Sequence, residues 1–257
     1  MTNFLSTLVT WLILLVLWLS ANTARALSPD EQHSVMRVKL AYGEPASQRV
    51  VQWRQLLSTI KTVQAQQHDQ YLLQSVNQFY NALAFLDDPI VWGKPDYWAT
   101  PLEFLGVGAG DCEEFSIAKY FSLRELGVED NKLRLIYVKA LRLNQFHMVL
   151  AYYPAPAAIP LLLDNLTPQI LRANERHDLQ PIYSFNGSQL WLMKQRGEGK
   201  AVGQARQIKK WEQLRERFRR QELAQPIIPP YTHLFSLPSS IHIHHQQHTV
   251  GREVIRT

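Results

Sequence analysis

Cysteine is nearly absent. Among 257 residues there is one, Cys112. A lone thiol closes no intramolecular disulfide, so the fold must rest on its core. Charged residues make up only 19% of the chain, against a hydrophobic fraction of 46%. That balance belongs to a globular protein and excludes a coiled-coil or wholly disordered one. Eleven glycines without a period exclude collagen. No apolar run reaches the roughly 20 residues that span a bilayer. Mean hydropathy is −0.21, which excludes a polytopic membrane protein. Acidic residues are outnumbered 22 to 27, for a net charge of +5. Much of that excess lies in one late stretch with no nucleic-acid motif around it, so no nucleic-acid partner is expected. No internal repeat is visible.

The N-terminus carries what apolar length there is. Leu8 to Leu19 has the length of a signal-peptide h-region, and Ala24-Arg25-Ala26 fits an A-x-A cleavage site. Residues 1–26 therefore read as a signal peptide, with the mature chain beginning at Leu27. Met1 to Ser6 contain no Lys or Arg, so the basic n-region is missing and an uncleaved membrane anchor stays open. Both readings export the rest of the chain. In an oxidising compartment an odd thiol is either reactive or buried and inert.

The mature chain changes period once. Residues 28–86 read as helical, with Val51, Leu56, Leu57, Ile60 and Val63 at helical spacing, and a second helix over 70–86 is stopped by Asp87-Asp88-Pro89. Residues 91–110 are aromatic and loop-like. A third helix runs from Cys112 to Leu126 and ends at Gly127. Strands then follow at 133–138, 147–153 and 161–164, with shorter ones near 182–185 and 190–193. Helices followed by an antiparallel sheet make an α+β domain over residues 27–193. Residues 194–224 read as a linker, at Gly197 to Gly203, and a basic helix, whose removal is expected to leave the core folded. That helix is either a solvated face or a contact for an anionic membrane surface. Residues 225–257 read as a disordered tail, although His242, His244, His245 and His248 could hold a transition metal.

Cys112 opens an amphipathic helix just after Gly106, Gly108 and Gly110. Unpaired N–H groups and the positive end of the helix dipole favour a thiolate there. A cysteine nucleophile needs a base and a group to orient that base. His147 lies in a strand and Asp164 at the end of the next, and neighbouring antiparallel strands can bring the two within hydrogen-bond reach. Spacing alone leaves a second reading open, in which His147 is scaffold and Asp164 a turn residue. Tyr97 or Trp98 could add an oxyanion donor to the Cys112 N–H, or be plain aromatic core.

Three segments carry a resemblance: Asp96-Tyr97-Trp98-Ala99-Thr100-Pro101-Leu102-Glu103-Phe104, Gly110-Asp111-Cys112-Glu113-Glu114-Phe115, and Ala118 to Gly127. Together with His147-Met148-Val149-Leu150 and Leu163-Asp164-Asn165 they resemble the bacterial transglutaminase-like cysteine proteinases, over roughly residues 30–191. The resemblance implies a papain-like, transglutaminase-like fold with Cys112 as nucleophile, His147 as base and Asp164 as orienter. It further implies a periplasmic, Ca2+-dependent endopeptidase. Its substrate would be the N-terminal region of a large surface adhesin, cut near small residues so as to control biofilm attachment. Its regulator would be an inner-membrane cyclic-di-GMP receptor of the LapD type.

Calcium also has a local rationale. Asp111, Glu113 and Glu114 flank Cys112, and three carboxylates would raise its pKa; a hard cation with oxygen ligands would relieve the repulsion. Asp111 and Glu114 equally form a capping box, and the two readings coexist. The same three catalytic residues could serve a transglutaminase or amidase, or merely pack in a catalytically silent binding protein.

Overall fold

The computed structural model describes residues 26–63, 69–193 and 199–231. The apolar N-terminal run and the histidine cluster lie outside them. Among the described residues no helix is long and apolar enough to cross a membrane.

Ser28 and Glu31 form a capping box that starts α1 (Pro29–Tyr42). Gly43, at φ 90°, ends it and lets α2 (Glu44–Val63) begin at once. The helical region expected over 28–86 is thus three helices, the third being α3 (Asp69–Asn81), which ends short of residue 86 because β1 (Ala84–Phe85) follows.

The aromatic stretch expected to be loop over 91–110 holds one helix, and another ends at its first residue. Asp87-Asp88-Pro89 does not simply stop a helix but starts the single turn α4 (Asp88–Val91). Thr100 and Glu103 cap α5 (Pro101–Val107), with Pro101 at its first position. Then come β2 (Ala109–Gly110) and α6 (Cys112–Glu125).

The remaining strands form one antiparallel sheet. They are β3 (Leu133–Ala140), β4 (Gln145–Tyr152), β5 (Leu161–Leu163), β6 (Leu171–Arg172), β7 (Leu179–Phe185), β8 (Gln189–Met193) and β9 (Gly199–Gln204), in the order β6-β5-β4-β3-β7-β8-β9. Period-2 alternation puts Leu133, Leu135, Met148, Leu150 and Leu163 in the main core with the helices. Ile136, Val138, Val149, Ala151 and Leu162 form a second cluster on the other face with Trp191 and Met193. The fold is α+β, helices first and antiparallel sheet after.

Two readings of the C-terminal part are corrected. The stretch read as linker contributes β9, which pairs with β8 from Gln189↔Gln204 to Met193↔Gly199. The basic helix, α7 (Lys209–Arg220), is not an appendage either: Trp211 and Leu214 are buried in the main core and Phe218 packs on Phe121 at 4.4 Å. Its arginines mask an apolar stripe at positions i, i+3 and i+7. Beyond it residues 224–231 stay ordered against the domain, where Ile227 N–H donates to Val91 O at 2.8 Å and Tyr231 N–H to Val107 O at 2.8 Å.

Candidate active site

Backbone pairing assembles the site. Strand β1 runs parallel to β2, in register Ala84↔Ala109 and Phe85↔Gly110, so the chain leaves the pair on one side with Asp88 on one branch and Asp111 on the other. A side chain at Gly110 would sit 2.9 Å from Glu114 Cβ and 3.0 Å from Phe104, so only glycine lets α6 start this close. Asp111 then caps α6. Its own N–H donates to Glu114 Oε2 at 3.0 Å, while its Oδ1 accepts the Glu113 N–H at 3.2 Å. Glu114 Oε1 accepts the Ala99 N–H at 2.8 Å. Both oxygens of Glu114 therefore brace backbone.

Cys112 is the first residue of α6. Its thiol donates to Glu113 Oε2 at 2.7 Å rather than to His147. The sulfur also lies within reach of the Met148 backbone N–H, one residue beyond His147, and Ser116 Oγ donates to Met148 O at 2.9 Å. These contacts pin the start of α6 to β4. Burial, then the charges of Glu113 and Asp111, push the Cys112 thiol well above its ordinary range. The carboxylates outweigh the helix dipole.

His147 and Asp164 are brought together directly, Nε2 to Oδ1 at 2.8 Å, both buried. Burial alone would raise the Asp164 carboxyl. The hydrogen bond and charge of His147, the Leu166 N–H and the Arg176 guanidinium outweigh it and hold it down at about 2. An ionised Asp164 only accepts, so Nε2 carries the hydrogen and Nδ1 is the basic nitrogen of neutral His147.

The acidic cluster is larger than the sequence shows. Carboxylate oxygens of Asp88, Asp111 and Glu114 lie within 4.8 Å of one another, as do the ligand atoms of Asp111, Cys112 and Glu113. Burial, followed by the Asp111 charge, raises Asp88 to about 7; burial, followed by the Glu113 charge, raises Asp111 to about 7. Asp88 Oδ2 accepts the Tyr97 N–H, and its Oδ1 is buried with no hydrogen-bond partner among the described residues. Asp88 reads in the sequence as a helix stop; only the β1–β2 pairing reveals where it goes. Tyr97 spends its phenol on Glu103 Oε1 at 2.8 Å, and Trp98 stacks on Phe185 at 5.7 Å. Both are core.

Tyr137, which interacts with the Cys112 thiol, stacks on Tyr183 at 5.1 Å, and the exposed Phe146 stacks on Tyr137 at 5.4 Å. The negative charge of Glu113 acts on both tyrosines. They alternate along strands as ordinary sheet residues, so no local signal marks them.

The family model of the bacterial transglutaminase-like cysteine proteinases matches residues 48–193. The chain belongs to that family. Three solved structures of Legionella pneumophila LapG share its fold. The EGTA-treated structure and one titled without further qualification are each 38% identical, cover 73% of this chain and 96% of LapG, and have a TM-score of 0.63. The calcium-bound structure is 40% identical, covers 72% of this chain and 98% of LapG, and has a TM-score of 0.61. Comparison with curated proteins gives no match. The one cysteine of this chain stands at the head of α6.

Proposed function

We propose that this proteinase is an exported endopeptidase working through a triad of Cys112, His147 and Asp164, with Ca2+ held beside the nucleophile. The observation that carries the reading is the buried His147–Asp164 pair at 2.8 Å, with His147 on β4, the strand to which Ser116 ties the Cys112 helix at 2.9 Å. Catalytic hydrogen bonds in a free enzyme are often made only with substrate in place.

The Cys112 thiolate attacks a backbone carbonyl carbon, and the Cys112 N–H stabilises the oxyanion that forms. His147, as imidazolium with Asp164 on Nε2, gives its proton to the leaving amine as the peptide C–N bond breaks. His147 then takes a proton from water, water attacks the thioester, and the thiolate leaves. Asp164 stays ionised throughout.

The donor set at the head of α6 suits calcium: it is made of carboxylate oxygens, and one of them, Asp88 Oδ1, is buried without a hydrogen-bond partner among the described residues. Asp88, Asp111 and Glu113 would hold the ion, with Glu114 bracing the Asp111 and Ala99 backbone. Bound there, calcium supplies positive charge beside a thiol that the carboxylates hold protonated. The calcium-bound LapG structure supports this.

The substrate we assign is the N-terminal region of a large surface adhesin, cut near small residues such as an Ala-Ala pair, and the regulator an inner-membrane cyclic-di-GMP receptor of the LapD type. A periplasmic site of action fits the h-region and A-x-A sequence at the N-terminus. The test is cleavage of a recombinant adhesin N-terminal fragment by residues 27–257. Cys112→Ser is expected to abolish cleavage while circular dichroism stays unchanged. A folded Cys112→Ser chain that still cleaves would end the proteinase reading at this residue. Excess EGTA is expected to stop the wild type, and undiminished activity there would remove calcium from it.

A further inference from the structure

Asp164 serves more than His147. Its Oδ1 accepts from His147 Nε2 at 2.8 Å and from the Leu166 N–H at 3.0 Å. Its Oδ2 faces Arg176 Nη1 in an ion pair at 2.8 Å. The Arg176 side chain is 4% exposed, so this is a buried cation against a buried carboxylate. Arg176 is also shared: its Nε and Nη2 meet Asp178 Oδ1 and Oδ2, each at 2.9 Å. From α6 the Lys119 ammonium, buried and without a hydrogen-bond partner among the described residues, acts on Asp164 as well.

We propose that Arg176 is a positioning residue of this proteinase, acting through Asp164: by neutralising Oδ2 it limits how strongly Asp164 stabilises the imidazolium of His147, and Asp178 sets how much of that charge Asp164 feels. The inference rests on the triad reading above. Its logic is electrostatic. A buried carboxylate facing only a histidine makes the imidazolium a weak acid and leaves little neutral base at pH 7, whereas a catalytic acid–base works best near ambient pH. A guanidinium on the second oxygen divides the carboxylate's charge. The Leu166 N–H holds Oδ1 independently, so the His147–Asp164 bond does not depend on Arg176. The groups that face this assembly are His147 from β4, Lys119 from α6, and Arg176 and Asp178 from the segment before β7. Arg142 acts on Asp178, and Cys112 and Glu113 lie across Met148 at the head of α6.

The test is an imidazole NMR titration of the full mature chain, with the His147 resonance identified by its loss in His147→Gln. Arg176→Met is expected to move the His147 titration up by roughly one pH unit, the size of effect an adjacent charge exerts. Asp178→Asn, which gives the whole guanidinium charge to Asp164, is expected to move it down. Arg176→Lys is expected to stay near the wild type. For cleavage of the adhesin N-terminal fragment, Arg176→Met should lower kcat about tenfold at pH 7 with KM unchanged, recovering at higher pH. A purely structural arginine would lower the His147 titration by loosening Asp164, or leave it unmoved, and either result overturns the proposal. If Arg176→Met does not fold, the half-exposed Asp178→Asn decides: no downward shift overturns the proposal. The triad fails separately, if His147→Gln retains cleavage.

Discussion

Lys119 shows what burial does to one side chain. It lies on the face of α6 that carries Cys112 and Ser116, fully buried, its Nζ without a hydrogen-bond partner among the described residues. Desolvation pushes the ammonium down to about 7, and Asp164 offsets only part of that. In the unfolded chain lysine titrates near 10.4. Between those values the unfolded state binds the extra proton, so stability rises with pH; below pH 7 both states are charged and the folded one carries the full desolvation cost. Lys119→Met is expected to stabilise the protein at pH 7 by about 1–4 kcal/mol and to flatten that rise. Thermal denaturation at pH 7 and pH 9.5 checks both, and a lower Tm for the variant at pH 7 would show that the ammonium has a partner in solution. Asp164 gives the same direction of pH dependence, but there the charged form is the stabilising one. Its depressed pKa of about 2 adds stability that is complete above pH 4 and lost as pH falls toward 2. Cys112, His147 and Asp164 are legible in the sequence because a helix start and two strand ends each have a local signature. Lys119 and Arg176 are not, since a lysine or arginine in a polar-looking stretch gives no sign that tertiary packing will bury it.

At the scale of elements, the informative piece is the smallest. The two-residue pairing of β1 with β2 carries no hydrophobic period of its own, yet it sets Asp88 beside Asp111. The same brevity hid α4 and α5, beside and within an aromatic stretch, although Thr100 and Glu103 spell a capping box. The long helices and the β3–β4 and β7–β8 strands had enough turns or alternations to be read in advance. Asp88→Asn tests what the pairing is for. It leaves an amide that still accepts the Tyr97 N–H but removes a charge, and ligand charge count sets calcium affinity. Isothermal titration with calcium is expected to show roughly tenfold weaker binding by the variant; an unchanged affinity would take Asp88 out of the cation site.

On the whole molecule, the C-terminal quarter decides what counts as the domain. Composition separates it: seven Lys and Arg in a short stretch read as surface, because charge density in a window says nothing about the stripe between the charges. That stripe places Trp211 against Phe185, at 5.3 Å, and against Tyr120, at 5.6 Å, so the helix closes the core over the sheet. Trp211→Ala is therefore expected to cost about 3–5 kcal/mol. The segment after it is tied as firmly. The Ala224 N–H donates to the buried Glu103 at 2.8 Å, and the buried Arg49 spans the carbonyls of Leu105, Gly106 and Tyr231 at 2.6, 2.7 and 2.7 Å. Those bonds fix the end of α5, from which the chain runs through β2 into the Cys112 helix. Two truncations follow. A chain of residues 27–231 keeps every one of these contacts and is expected to unfold with the Tm of residues 27–257. A chain ending at Gln204 exposes the core at Trp211's place and takes Tyr231 O from Arg49 and the Ala224 N–H from Glu103, which is expected to abolish the cooperative thermal transition. A cooperative transition in the shorter chain would mean that the helices and sheet close without α7. The C-terminal part would then be an accessory to the proteinase rather than part of its domain.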